Sequence, residues 1–265
     1  MKRLMLACTF LVQMVCAQEW QAEIMTGAVA YNGDLSRKAL NLHTLRPFVN
    51  INIKYEFYYL VLRAGLTYTQ LVGHDKYNSD PSLRSRNLGF HNNIWELSLV
   101  AEYNLMEPDL FDAYPYLLGG VGVFRHNPFS YDNEGNKVKL QPLRTEGQGL
   151  PEYPGRKKYS LLQACIPLGA GWKWKVSEKL DIACELSYRI LFTDYLDDVS
   201  TTYASPAVLG SRVGPKSVEM ANRAKPLPGS SYVPQAGDNR GNPNVKDNYI
   251  MGGVKLILHL DKRKT

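Results

Sequence analysis

From residue 49 onward the chain alternates apolar and polar residues, and this period of two constrains the fold more than any other feature. Val49, Ile51, Ile53, Tyr55 and Phe57 share one face, and Asn50, Asn52, Lys54 and Glu56 share the other. Side chains alternate across a strand, so this segment reads as a strand with one greasy and one wet face. After a minimal break the pattern returns: Leu60, Leu62, Ala64, Leu66 and Tyr68 oppose Val61, Arg63, Gly65, Thr67 and Thr69. So short a break predicts a hairpin. Trp95, Leu97, Leu99, Ala101 and Tyr103 alternate in the same way, as do residues 162–174, 180–190 and 249–260. Weaker patterns cover residues 20–31 and 116–124, the second blurred by Gly119, Gly120 and Gly122. The count is about eight strands, each long enough to cross a membrane at a tilt, which takes about 9–11 residues.

The connections alternate long and short. Residues 32–44, 70–90, about 125–158 and 193–246 are long, whereas the breaks at 57–58, 106–113 and 176–179 are short. Outer-membrane barrels carry short periplasmic turns and long outer loops, and in hydrocarbon only closure removes the unpaired backbone groups of sheet edges. The expected fold is therefore all-β: an eight-stranded antiparallel transmembrane β-barrel with short periplasmic turns and long extracellular loops. An even strand count places both termini in the periplasm, with Lys262, Arg263 and Lys264 on that side. Trp172, Trp174, Tyr55, Phe57, Tyr58 and Tyr103 fall where strands meet short turns, as an interfacial girdle does. A soluble secreted sandwich or lipocalin-like barrel would alternate as well, with its greasy faces turned inward; the loop asymmetry favours the membrane.

Lys2 and Arg3 precede an apolar stretch that ends in Val15, Cys16 and Ala17. Residues 1–17 read as a secretory signal peptide cut before Gln18, leaving a single domain over 18–265. The apolar run is shorter than the roughly 20 residues of a spanning helix. Cys16 follows Val15 rather than a small residue, which argues against lipid attachment. Cys165 and Cys184 remain, too few for a disulfide framework. They fall on opposite faces of neighbouring strands, with Cys165 across from about Arg189, so no disulfide is expected. A formal charge of +6, spread along the chain, argues against a nucleic-acid partner.

With the greasy faces to lipid, the interior receives Lys54, Glu56, Arg63, Glu96, Glu102, Lys173, Asp181, Glu185, Arg189 and Lys255, five charges of each sign. An eight-stranded barrel is just wide enough for side chains to fill, and buried charges persist only when paired. A polar plug is expected rather than a channel. His91, His126, Ser98 and Ser130 gather near the outer rim, where a lipid-modifying enzyme would hold a nucleophile and base. Nothing in their spacing demands catalysis, and the bland reading is solvated rim residues. Asp194, Asp197 and Asp198, followed by Ser200, Thr201 and Thr202, offer oxygen ligands suited to calcium but lack the spacing and glycine of a calcium loop. They read as a hydrogen-bonded loop start, and no catalytic, cofactor or metal residue is expected. The Pro-, Gly- and Ser-rich stretch 204–244 reads as irregular loop, mobile in part. Residues 124–158 carry seven basic residues against four acidic ones, an excess that suits lipopolysaccharide phosphates or simple solvation.

Four stretches carry a family resemblance: FHNNIWELSLVAEYNL (residues 90–105), YPYLLGGVGVFRHNP (114–128), LQPLRTEGQG (140–149) and FTDYLDDVSTTY (192–203). Together they resemble the PorG family of outer-membrane barrels, a component of type IX protein secretion. The last two are the specific ones, being loop sequences with no strand-forming reason to recur. The resemblance implies a non-enzymatic subunit that associates with a periplasmic ring of the lipoprotein PorK and its partner PorN and tethers that ring to the outer membrane, without serving as the pore. A periplasmic partner must meet short turns or termini. The largest short turn carries Glu107, Asp109, Leu110, Phe111 and Asp112, with the two apolar residues between acids. It reads either as the docking surface or as a membrane-interface anchor. The alternatives are a generic outer-membrane barrel with ligand- or surface-binding loops and a lipid-modifying outer-membrane enzyme.

Overall fold

The computed structural model of the chain describes residues 18–36, 41–225 and 233–260. The expected signal peptide and the basic tail at 262–264 lie outside the described residues. Eight long strands run in chain order as β1 (Gln18–Asn32), β2 (Arg46–Phe57), β3 (Leu60–His74), β4 (Gly89–Asn104), β5 (Ala113–Arg125), then β8 (Leu162–Ser177), β9 (Leu180–Leu191) and β10 (Asn248–His259). Between β5 and β8 a small hairpin, β6 (Phe129–Tyr131) and β7 (Lys137–Lys139), extends the wall. Each long strand pairs antiparallel with its chain neighbour, β1 pairs with β10, and β3 pairs with β4, so the sheet closes into an eight-stranded barrel. Closure leaves no strand edge, as hydrocarbon requires.

The apolar faces point outward. Ile51, Leu62, Leu66, Leu97, Leu99, Val121, Leu186 and Val254 are all exposed, while the residues between them are buried. So continuous a ring of exposed aliphatic surface far exceeds what a water-soluble monomer shows; its partner is lipid. Aromatic residues bound this band at both ends. Near the short turns stand Trp20, Tyr55, Tyr103, Trp172 and Trp174, with Trp20 against Tyr55 at 4.8 Å. Towards the long loops Tyr68 packs on Trp95 at 4.6 Å. Trp95 and Tyr103 are eight residues apart on β4, which at about 3.3 Å per residue and a tilt near 40° is about 20 Å of height. That suits the apolar band of a barrel of this size. Among the described residues no helix is long and apolar enough to cross a membrane.

Four differences from the sequence reading have physical causes. First, β3 and β4 run on to His74 and from Gly89, well above the girdle. Their outer ends leave the lipid and lose the alternation that marks a two-sided strand. Second, residues 204–244 are not simply irregular: they hold two short helices, Pro206–Arg212 and Pro215–Ala221, each begun by a proline. Another short helix, Pro81–Arg86, begins where the Asp80 carboxylate accepts the Ser82 N–H at 2.8 Å. Seven residues are too few to display a 3.6 period, and a proline that starts a helix looks like a breaker in sequence. Third, Cys165 pairs with Leu191, and Arg189 lies across from Pro167. The β8–β9 turn is Glu178 and Lys179, later than Ser177, and an irregularity between Lys175 and Ser177 takes one residue back, so the net register change is two. Cys165 remains buried inside and Cys184 exposed outside, both as free thiols. Fourth, only part of the lumen is polar. Met25, Phe48, Phe90, Ile94, Phe124, Tyr249 and Met251 fill the loop-side half as an apolar core that continues into Leu196, Val199 and Met220 of the loops.

Candidate functional site

The site has three parts, stacked along the barrel axis: an ionic core, a folded cap of loops, and the turn end.

The ionic core fills the turn-side half. The Glu102 carboxylate lies 2.9 Å from Lys54, 2.8 Å from Arg63, 3.0 Å from Lys173 and 3.2 Å from Lys255. Glu23 receives Lys54 at 3.0 Å, and Glu185 receives Arg63 at 2.9 Å, Lys255, and the Tyr116 hydroxyl at 2.9 Å. Higher up, Glu96 holds Arg189 at 3.2 Å and accepts the Tyr249 hydroxyl at 2.6 Å. Nearer the turns, Asp181 meets His259 at 2.9 Å, and Glu56 sits half-buried at the rim. The lumen thus holds Lys54, Arg63, Glu96, Glu102, Lys173, Asp181, Glu185, Arg189 and Lys255 buried, with Glu56 at its edge. Sequence reasoning missed Glu23, which alternation with Ala22 and Ile24 on β1 signals. Pore-lining groups would meet water, whereas Lys54, Lys255, Glu96 and Glu102 are 0% exposed. Among the described residues the lumen is packed shut, ion pairs below and apolar side chains above.

The cap joins the two loop motifs that sequence could only note separately. Glu146, from the first motif, accepts the backbone N–H groups of Ser200 and Thr201 at 2.9 and 3.0 Å and the Thr201 hydroxyl at 2.7 Å. Arg240 completes this hub at 3.0 Å. The hydroxyls of Thr145 and Tyr159 donate to Asp198, the latter at 2.7 Å. Beneath them the Tyr31 hydroxyl lies between Asp197 (2.6 Å) and Asp247 (2.8 Å). The far oxygens of these two carboxyls accept Val199 N–H and Leu196 N–H, at 2.8 and 2.9 Å. One phenolic proton serves one acceptor, so this row of three oxygens is complete only when one carboxyl keeps its proton. Gly33 lies directly against it: a Cβ there would run into Asp247 and the Tyr31 hydroxyl.

Burial, then the neighbouring charges of Asp247 and Asp34, hold Asp197 well above the ordinary carboxylate range, and burial raises Asp247 likewise. Burial pushes Asp194 up to about 7 and Asp198 up to about 6. Among the described residues no group of three or more acids, histidines or cysteines is placed to hold a metal ion. Asp194 accepts Ser200 Oγ at 2.6 Å, so this run is a hydrogen-bonded loop framework.

The rim residues do not assemble as nucleophile and base. His126 is buried, its ring nitrogens 3.0 Å from Ser160 O and 3.3 Å from Asn92, and burial lowers it to about 4. His91 stacks on Phe129, and Ser98 faces the lumen, buried in β4.

At the turn end, Leu110 is 72% and Phe111 44% exposed, flanked by the exposed Asp109 and Asp112. Glu107 anchors this turn to the next one, accepting the Tyr58 hydroxyl at 2.6 Å. Tyr58 is left-handed (φ 54°), a conformation that costs a non-glycine residue about 1–2 kcal/mol.

Residues 2–209 match the model of a family described as a domain of unknown function, DUF6089. The chain belongs to the DUF6089 family. The match covers both loop motifs; β10 lies beyond it. No curated protein sequence matches the DUF6089 chain. Among solved structures it is similar to Neisserial surface protein A, at 9% identity over 90% of this chain and 96% of that one, with a TM-score of 0.45. It is similar to a major outer membrane protein from Thermus thermophilus, at 12% identity over 92% and 100%, TM-score 0.44. The N-terminal β-barrel domain of Pseudomonas aeruginosa OprF follows at 11% identity over 92% and 98%, TM-score 0.38. The barrel assignment itself rests on the strand pairing described above.

Proposed function

We propose that this protein is a non-enzymatic outer-membrane component of type IX protein secretion, which anchors a periplasmic ring of PorK-like lipoprotein and PorN-like protein. The observation that carries this reading is the packed lumen: a barrel with fully buried ion pairs across its bore passes nothing and works through its ends. In this reading the termini and short turns are periplasmic and the loop cap faces outward. The turn with Glu107, Asp109, Leu110, Phe111 and Asp112 is the docking surface, since it offers exposed apolar side chains between acids on a turn braced by Tyr58. The resemblance of the two cap motifs to the PorG family supports the secretion role. A surface-binding barrel is the second reading, favoured by the ordered cap around Glu146.

The test is a tagged pull-down from gently solubilised, crosslinked outer membranes, comparing the parent with Leu110→Ser/Phe111→Ser. Ring proteins recovered with the parent and lost with the variant support docking at this turn. Equal recovery with both, at normal barrel assembly, refutes docking there; no ring protein with either, from intact barrels, refutes the secretion role.

A further inference from the structure

We infer that the loop-side rim of β3, β4 and the β6–β7 hairpin is a docking surface for a phosphorylated glycolipid headgroup of the outer leaflet. This rests on the outer-membrane placement proposed above, with the loops outward.

Six permanent cations gather on this side of the wall. Arg125 pairs across from Trp95 at the loop-side girdle, its side chain exposed. Four residues higher on β4, His91 stacks on Phe129 at 5.3 Å and meets Tyr131 at 5.5 Å. Lys137 and Lys139 stand over that Phe129 ring at 3.7 and 5.3 Å. His74, at the end of β3, lies 5.7 Å from His91. Lys76, Arg46 and Arg223 oppose a positive charge on His74, and Arg46, Lys137 and Lys76 oppose one on His91. Of the acids on this side, Asp75 is buried on Arg86 at 2.7 Å and Asp132 holds Lys216 at 3.0 Å, while Glu134 stands exposed in the β6–β7 turn.

Position selects the ligand. At about 3.3 Å per residue and a tilt near 40°, His91 lies about 10 Å and His74 about 15 Å above the girdle residues of their own strands. The cations therefore begin at the edge of the hydrocarbon and climb through the headgroup layer. An amphiphile seated against the apolar band presents its phosphates and sugars at this height, and the exposed Tyr131 ring, with half-buried His91 beside it over the buried Phe129, gives sugar faces a wall. A free anion would gain the charges but not the apolar band below them.

The test uses the refolded full barrel in detergent, with purified bis-phosphorylated lipid A as probe and native mass spectrometry as readout. The variant is Lys76→Gln/Lys137→Gln/Lys139→Gln; all three side chains are exposed and outside the ionic core. Retention by the parent is expected to exceed that of the variant on the order of 100-fold, from about fivefold per cation lost. Dephosphorylated lipid A should bind the parent as weakly as lipid A binds the variant. Equal retention by parent and variant, or of both lipids by the parent, overturns the proposal, as does complete displacement by millimolar inorganic phosphate. Flotation with phospholipid vesicles separates the two readings. A barrel that floats but holds no lipid A refutes this surface alone, whereas one that does not float refutes the membrane placement on which it rests.

Discussion

Glu102→Gln should be among the most damaging single-atom changes this barrel can suffer. Four cations, Lys54, Arg63, Lys173 and Lys255, lie within 3.2 Å of that one carboxylate, and all are buried. The cluster holds these four positive charges against Glu23, Glu102 and Glu185; the amide leaves four against two. Removing one partner of a buried ion pair costs about 3–5 kcal/mol, because the remaining charge cannot recover its hydration. Lys54→Met added to Glu102→Gln restores the original imbalance of one, and methionine nearly matches the lysine stem. The double variant should therefore be more stable than the single by about 1–3 kcal/mol, the range expected for coupled neighbours. Urea unfolding of the refolded barrel, followed by tryptophan fluorescence and by mobility on unheated gels, measures both. A Glu102→Gln barrel within about 1 kcal/mol of the parent would refute the ionic core, as would a double variant that loses the sum of its parts.

The cap should loosen as pH rises. Asp194 at about 7, Asp198 at about 6, and the raised Asp197 and Asp247 keep protons that an unfolded chain loses near pH 4. Their contribution is therefore complete below about pH 4, and the part owed to Asp198 and Asp194 is lost as pH climbs through 6 to 7. Hydrogen exchange in residues 192–203, corrected for intrinsic rate, should accelerate across that window, and Asp194→Asn should flatten the response; acceleration on acidification would reverse the assigned sign. Gly171→Ala should destabilise the barrel by about 1–3 kcal/mol in the same urea assay, since its Cβ would strike the Tyr116 ring and the Cys184 carbonyl. A neutral effect would mean that Tyr116 can move without releasing Glu185.

Much of the barrel was legible because strand alternation is local. Ile51 beside Asn52, or Leu97 beside Ser98, announces its face from immediate neighbours, and connection length then orders the strands. The loop-side core was not legible. Phe48, Phe90 and Phe124 occupy the same inward phase as Lys54, Glu96 and Glu102, and only their height within the closed barrel decides whether ions or apolar groups meet there. Glu23 was overlooked because β1 alternates weakly around Thr26 and Gly27. The cap was hidden for a different reason: Glu146 and Ser200 lie 54 residues apart, and nothing local links a carboxylate to the backbone N–H it will receive. Loop motifs that recur without strand-forming cause marked both partners, but only the fold brings them together.

Ion pairs below and apolar side chains above pack the bore shut. Single-channel recording tests it most directly, with the purified barrel inserted into a planar phospholipid bilayer and its insertion verified by protease protection. The account predicts no conductance steps across ±100 mV for the inserted parent protein, a potential worth about 2.3 kcal/mol per charge moved across the membrane. Stable, reproducible open steps from the folded parent would contradict it.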